Sequence, residues 1–198
     1  PVVGRALTAV FMPSRPDVER NIKERGINSH GRKGNTNSWP IEVLSDGDVY
    51  VADSFGKIDA GTLMGATLAT SIFSKSGNGV VFNGSARDLE AISEIEGFNA
   101  FVRDFHPSFL EEEVLMGLNT PIRIGNVMVL PGDLVLAKRE GVLFIPAHLA
   151  ELAISTAEFV GLKDKFGFEM VRSKTYTTGE IDNKWTDAIK DDFLEWLG

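Results

Sequence analysis

The residues with the clearest chemical potential are Arg87 and Asp88, in the stretch Asn83-Gly84-Ser85-Ala86-Arg87-Asp88. A short apolar run, Gly79 to Phe82, precedes them and reads as a buried strand; the pattern from Asp88 to Ile95 reads as a helix. Two charged residues at a strand-to-helix turn stand at the mouth of the sheet, where α/β proteins commonly bind ligands. An arginine there can grip a carboxylate through two parallel hydrogen bonds. An aspartate beside it can hold a divalent cation, because magnesium keeps several waters and uses only one or two protein carboxylates. The competing reading is structural: Asp88 caps the following helix and pairs with Arg87. A second element is GTLMGATLATS, residues 61–71, whose glycines lead into a helix. Backbone N–H groups at a helix start attract a carboxylate, although a plain turn or helix packing explains the same spacing.

Other chemistry-bearing residues carry weaker signals. Asp53 ends a strand, a usual place for a site residue and equally for a turn cap. His106 and His148 are far apart in sequence and neither has a metal-ligand spacing, so both are expected on the surface or in structural roles. Glu111-Glu112-Glu113 reads as a solvated helix start. Neither a Gly-x-Ser-x-Gly elbow nor a Walker loop is present.

The elements that must position these residues follow from periodicity. Arg5 to Phe11 reads as a strand stopped by Pro13, Asp17 to Arg25 as a helix ended by Gly26, and 28–38 as a polar loop. Asp48 to Asp53 is a strand and Leu63 to Lys75 a helix, with Leu63, Ala66, Ala69, Ile72 and Phe73 at helical spacing. Phe98 to Val102 is another strand. The runs 122–124, 127–130, 134–137 and 142–145, punctuated by Gly125-Asn126, Pro131-Gly132 and Glu140-Gly141, predict short strands joined by tight turns. Ala147 to Phe159 reads as a helix and 171–184 as an extended polar arm. Trp185, Ile189, Phe193, Trp196 and Leu197 then share one face of a terminal amphipathic helix, to be covered by the chain itself or by a neighbouring subunit.

Composition bounds the class. The chain has 198 residues, 43% apolar and 24% charged, as ordinary globular domains do. The absence of cysteine excludes disulfides, thiolate catalysis and cysteine zinc sites. No apolar run reaches the ~20 residues that span a bilayer. A cytoplasmic location and no membrane partner are the expectation. The net charge of −8 argues against direct nucleic-acid binding, which needs a basic face. The one short basic cluster, Arg32-Lys33, reads as a solvated loop. An acidic protein binds anionic substrates only through a local arginine or a metal.

Three stretches together resemble the RraA-like family: GDVYVADSFGKIDAGTLMGATLATS (residues 47–71), GNGVVFNGSARDLEAISEIEGFNAFVRDFHPS (77–108) and TPIRIGNVMVLPGDLVLAKREGVLFIPAHLAEL (120–152). GRALTAVF near the start is similar to the family's first core strand. The resemblance implies an α/β fold with layered β/β/α packing, like a swivelling phosphohistidine-type domain, over residues 1–160. A C-terminal arm and helix over 161–198 would follow, packing on the core or on a neighbouring subunit. It also implies a homo-trimer or hexamer with sites near subunit boundaries, and Arg103, in FVRDFHP, facing such a boundary.

Members of this family include regulators that inhibit ribonuclease E and metal-dependent aldolases that release pyruvate. The aldolase resemblance implies Arg87 as substrate ligand, Asp88 as the ligand of Mg²⁺ or Mn²⁺, and the loop Gly65, Ala66, Thr67 and Leu68 as the holder of the substrate's pyruvate end through its amides. The reaction would be cleavage or decarboxylation of a small 2-oxo acid through a pyruvate enolate. This sequence departs from that pattern twice. Aldolase-like members carry an acid twenty-one positions before the arginine, where this chain has Ala66, and Asn83 stands where an aspartate is common. Asp53, Asp59 or an acid from another subunit would have to compensate. A regulatory or binding protein with a decayed site is the alternative.

Overall fold

The computed structural model describes residues Pro1–Gly198, which divide into two compact units, Pro1–Ala147 and His148–Gly198. The first contains β1 (Val2–Pro13), α1 (Pro16–His30), α2 (Trp39–Glu42), β2 (Asp48–Asp53), β3 (Thr62–Met64), α3 (Ala66–Ser76), β4 (Val80–Asn83), β5 (Ser85–Ala86), α4 (Leu89–Ser93), β6 (Ala100–Phe101), β7 (Asp104–Phe105), β8 (Glu113–Leu118), β9 (Ile122–Ile124), β10 (Val127–Val129), β11 (Leu134–Lys138) and β12 (Gly141–Ile145). The second contains α5 (Ala150–Arg172), α6 (Thr178–Asp182) and α7 (Asp187–Leu197).

The main sheet has seven strands in the order β12-β11-β1-β2-β4-β6, with β8 also on β1. β1 is twelve residues long and serves two partners along one edge. Val2–Arg5 pairs with β11 and Ala9–Pro13 with β8, both antiparallel, with a register shift between Val10 and Phe11 that bends the strand. Its other edge pairs in parallel with β2, and β2 with β4. Every residue of β2 is buried, as expected of a parallel strand covered on both faces.

Strand alternation divides the core in two. Leu7, Ala9, Phe11, Tyr50, Ala52, Val80 and Phe82 face the helices and pack with Trp39, Ile41, Ala69, Ile72 and Ile92. Ala6, Val49, Val51, Val81, Val135 and Ala137 face the opposite side, under Ile122 and Val129 of the β9–β10 hairpin. Helices, central sheet and hairpin form the expected α/β/β layering. A separate three-stranded parallel sheet, β3-β5-β7, carries the candidate site.

Several local expectations are corrected. Leu63 lies in β3, and the helix begins only at Ala66, because Gly65 breaks the pattern as its N-cap. α1 runs on through Gly26 to His30, since Gly26 sits flat against the Trp39 ring and a Cβ there would lie 2.2 Å from it. Glu111-Glu112-Glu113 does not open a helix: Glu113 starts β8, whose apolar run completes the edge of β1.

In the second unit α5 runs unbroken through position 160, and 171–184 is no extended arm. It holds the end of α5, a turn and α6, which Thr177 and Glu180 cap reciprocally. Phe166 is fully buried there, with Trp185, Phe193 and Trp196 edge-on around it at centroid distances of 5.4–5.9 Å. The two tryptophans are thus covered from α5, while Leu197 is exposed. No helix is long and apolar enough to cross a membrane.

The Tyr50 ring meets Phe82 edge-on at 4.9 Å, and its hydroxyl is buried without a hydrogen-bond partner. Burial pushes the phenol's pKa upward. An orphaned buried hydroxyl costs about 1–3 kcal/mol, which its removal recovers in part. Tyr50→Phe is therefore expected to raise the melting temperature by about 2–4 °C in a thermal scan.

Candidate functional site

The three short strands β3, β5 and β7 run parallel, with Met64 beside Ala86 and Ala86 beside Phe105. The chain leaves each strand at the same edge: Gly65 into α3, Arg87-Asp88 into α4, and His106 into the loop ending at Phe109. Backbone bonds hold the three exits together: Arg87 N–H donates to the Met64 carbonyl at 2.9 Å, and His106 N–H to the Ala86 carbonyl at 2.9 Å. The carboxyl ends of parallel strands are where α/β proteins place ligands.

Asp88 adopts the left-handed conformation, φ 62°. That is uncommon for a side-chain-bearing residue but tolerated by aspartate. The turn keeps its carboxylate off the N-terminus of its own helix, α4, where it makes no capping bond. Its Oδ2 instead accepts the Ala66 N–H at 3.0 Å, so Asp88 caps α3, twenty-two residues earlier. Arg87 Nε is 3.5 Å from the same oxygen, too far for a strong hydrogen bond. The other carboxylate oxygen, Oδ1, makes no protein hydrogen bond, and neither do the terminal nitrogens of Arg87. The guanidinium lies over the Phe109 ring, 4.7 Å from its centroid, which orients the fork without using its donors.

Gly65 makes this approach possible. A Cβ there would lie 2.5 Å from Asp88 Oδ2 and 2.9 Å from Arg87 Nε. Within α3 the first helical bond is donated by Ala69, to the Gly65 carbonyl. The amides of Ala66, Thr67 and Leu68 are therefore outside the helical ladder. Ala66 already donates to Asp88, which leaves Thr67 and Leu68 for an anion. The four loop residues, Arg87 and Asp88 are thus neighbours, with the Ala66 amide in use and the Ala66 methyl offering no acid.

Asp53 is directed elsewhere. It is buried, and its Oδ1 accepts from Asn83 Nδ2 at 2.8 Å and from the Phe55 amide at 2.9 Å. Asn83 Oδ1 in turn accepts Arg103 Nε at 2.7 Å. An amide at 83 can donate to Asp53 and accept from Arg103 at once, which a carboxylate cannot. Asp53 is thus a turn cap and Asn83 a bridge. His148 is exposed and belongs to the second unit.

Two further residues, one following β7 and one on β8, carried no strong sequence signal. His106 sits next to Arg87 across the sheet, with Nδ1 2.9 Å from Ser108 Oγ and 3.5 Å from Asp59 Oδ1. This is no Ser-His-Asp triad, because both partners meet the same ring nitrogen. Glu113 is buried and accepts the Ser54 hydroxyl at 2.6 Å. The continuous apolar run after it, Val114-Leu115-Met116, is the signal that could have found a strand there.

Comparison with known proteins extends these observations. The RraA-like family model, described as Aldolase/RraA, matches residues 2–144. The 4-hydroxy-4-methyl-2-oxoglutarate aldolase of Thermus thermophilus is 32% identical over 107 residues, covering 54% of this chain and 63% of that protein. A putative enzyme of the same name from Pseudomonas fluorescens is 29% identical over 109 residues, 54% of this chain and 65% of its own length. The chain therefore spans slightly less than two thirds of these relatives. Among solved structures, RraAS2 of Streptomyces coelicolor, described as an unusual member of the RNase ES inhibitor RraA family, superposes with a TM-score of 0.71 at 27% identity, over 85% of this chain and 77% of that one. The RNA-processing inhibitor RraA from Thermus superposes with a TM-score of 0.55 at 24% identity, over 73% and 76%, and shares the fold.

Glu113 yields a prediction about stability. Burial, and secondarily nearby Asp53 and Glu112, hold its carboxyl above its ordinary value of 4.5, against the Ser54 bond and Lys57. The folded state then binds the proton more tightly than the unfolded chain does. The stabilisation is fully present below 4.5 and is lost as pH rises through the higher folded value. Glu113→Gln, which can still accept from Ser54, is expected to gain stability relative to the wild type as pH rises from 4.5 to neutrality, measured as the difference in denaturant midpoints.

Proposed function

Because the chain belongs to the RraA-like family, matched from residue 2 to residue 144, we propose that it is a metal-dependent lyase of the pyruvate aldolase type. It would cleave or decarboxylate a small 2-oxo acid. The observation that carries this reading is the free guanidinium fork of Arg87 beside the anchored carboxylate of Asp88, at the carboxyl edge of three parallel strands. The names of the aldolase relatives supply the substrate class.

Arg87 binds the substrate carboxylate through its terminal nitrogens, with Phe109 holding the guanidinium plane. The Thr67 and Leu68 amides, at the positive end of α3, accept the same anionic end. As the bond between carbons 3 and 4 breaks, its electron pair is delocalised through carbons 2 and 3 onto the oxo oxygen, and these fixed donors would stabilise the resulting pyruvate enolate.

No three or more His, Asp or Glu side chains converge as a cage for a metal ion. One free oxygen of Asp88 fits a cation that brings its own waters, as Mg²⁺ or Mn²⁺ does, and Glu90 and Glu94 line the open depression beside it. When bound there, the ion supplies Lewis-acid polarisation of the 2-oxo group.

A second reading, a non-catalytic RraA-like regulator, is favoured by Ala66, which lacks the expected acid. The exposed apolar side chains of α5, Leu152, Ile154, Phe159 and Phe168, fit a protein-binding surface. They equally suit the homo-trimer or hexamer proposed here, in a cytoplasmic protein.

The test is pyruvate release from oxaloacetate and from 4-hydroxy-4-methyl-2-oxoglutarate, with Mg²⁺, Mn²⁺ or EDTA. Metal-dependent release is expected, with kcat/KM falling about 100–1000-fold in Arg87→Ala and Asp88→Ala. Gly65→Ala is expected to lose activity by displacing both side chains while leaving the fold intact by circular dichroism, and Ala66→Asp to raise the rate. A folded wild type that releases no pyruvate with any metal would overturn the lyase in favour of the regulator.

A further inference from the structure

The short basic cluster after α1 lies outside the Arg87–Asp88 site. Lys33 is exposed, as a solvated loop requires, but the Arg32 side chain is only 22% exposed. Its Nη1 donates to the Glu42 carboxylate at 2.7 Å and to the Trp39 carbonyl at 3.2 Å. Nε and Nη2 make no protein hydrogen bond, so the guanidinium is anchored at one end and keeps the pair of donors that can grip a carboxylate side-on.

Arg32 lines a cleft of about 280 Å³ between α1 and β8. Two features of the fold open it. Gly26 has no side chain, which lets α1 lie against the Trp39 ring, and β8 pairs with β1 alone, so no further strand takes up its second edge. Ile22, Trp39, Leu115 and Leu118 give the cleft apolar walls. Its charge is all of one kind: Arg25 and His30 join Arg32 in the lining, and no Asp or Glu does. The ion pairs of α1 and the loop after it are Arg15–Asp17, Lys23–Glu19 and Arg32–Glu42, so Arg25 and His30 have no carboxylate partner. In a chain of net charge −8, this is a local exception to a field that otherwise repels anions.

We propose that this cleft is a binding site for a compact organic carboxylate with an apolar body. Arg32 and Arg25 hold the carboxylate, and Trp39, Ile22, Leu115 and Leu118 cover the hydrocarbon. A few polar groups at an apolar cavity are the usual make-up of a small-molecule site. The volume lies below the ~300–1,000 Å³ of drug-sized ligands, so it suits a body of about one ring rather than a nucleotide. The site shares no residue with the Arg87–Asp88 site and does not depend on the lyase reading.

Phenylacetate is the probe, titrated calorimetrically into the full chain. A Kd of about 0.1–1 mM is expected, ordinary for so small a ligand. Acetate lacks the apolar body and 2-phenylethanol lacks the charge, so each should bind at least about tenfold more weakly. Arg25→Glu should weaken phenylacetate about tenfold or more. Arg32→Lys should do the same, because it keeps the charge and loses the planar fork. Arg20→Glu makes the same charge change on α1 outside the cleft, and Kd should stay within about twofold of wild type. Bound phenylacetate should also shift the NMR signals of the Gly26 and Gly117 amides and of Trp39 Nε1–H. Shifts confined to Ala66, Thr67 and Leu68 would assign the anion to the Arg87 site and defeat the proposal. So would no binding at about 10 mM, equal affinity for acetate, or equal losses in Arg25→Glu and Arg20→Glu. Phenyl phosphate that binds about tenfold tighter than phenylacetate would overturn the choice of carboxylate. Pyruvate release is measured separately, so none of these results decides the lyase reading.

Discussion

One contact organises the first unit's candidate site: the carboxylate of Asp88 seated on the amide of Ala66. It ties the turn after β5 to the start of α3 and fixes the charge at the mouth of the short sheet. Two features permit it. Residue 65 has no side chain, and Asp88 holds a left-handed backbone that swings its carboxylate away from its own helix. With that contact made, Arg87 is left close to the carboxylate but not consumed by it, and Phe109 completes its orientation.

The contact also limits the site. An aspartate that caps α3 uses one of the three amides outside the helical ladder, and its other oxygen makes no protein hydrogen bond. On the lyase reading proposed above, this arrangement would suit a small ligand with a carboxylate at one end and an oxygen shared with a hydrated ion. A second polar cluster lies nearby. Buried Asp53 and Asn83 satisfy each other, and Asn83 Oδ1 also accepts Nε of the exposed Arg103, so the two buried groups are paired as interior polar groups generally are.

The scaffold underneath is built to hold this edge still. β2 is buried on both faces, and the long β1 is paired along both edges, so the centre of the main sheet has little freedom. The second unit is a helical assembly of its own, centred on Phe166, and it leaves much of α5 apolar and exposed. Such a surface is what oligomers and partner proteins cover.

Much of this was legible in the residues. Alternating apolar runs located the strands of the main sheet. The turn before α4 marked Arg87 and Asp88 as a pair, and apolar spacing located α3, although its start was read at Leu63 rather than at Ala66. Those are local properties, set by backbone sterics and side-chain periodicity within a few positions. What the tertiary structure decided lies between distant positions. Asp88 caps the helix behind it rather than the one ahead, Glu113 disappears into a strand edge against Ser54, and His106 stands beside Arg87 only because β5 and β7 are paired in register. A single sequence carries no period that links position 66 to 88 or 54 to 113, so the chemistry that depends on those pairings emerges only once the strands are laid side by side.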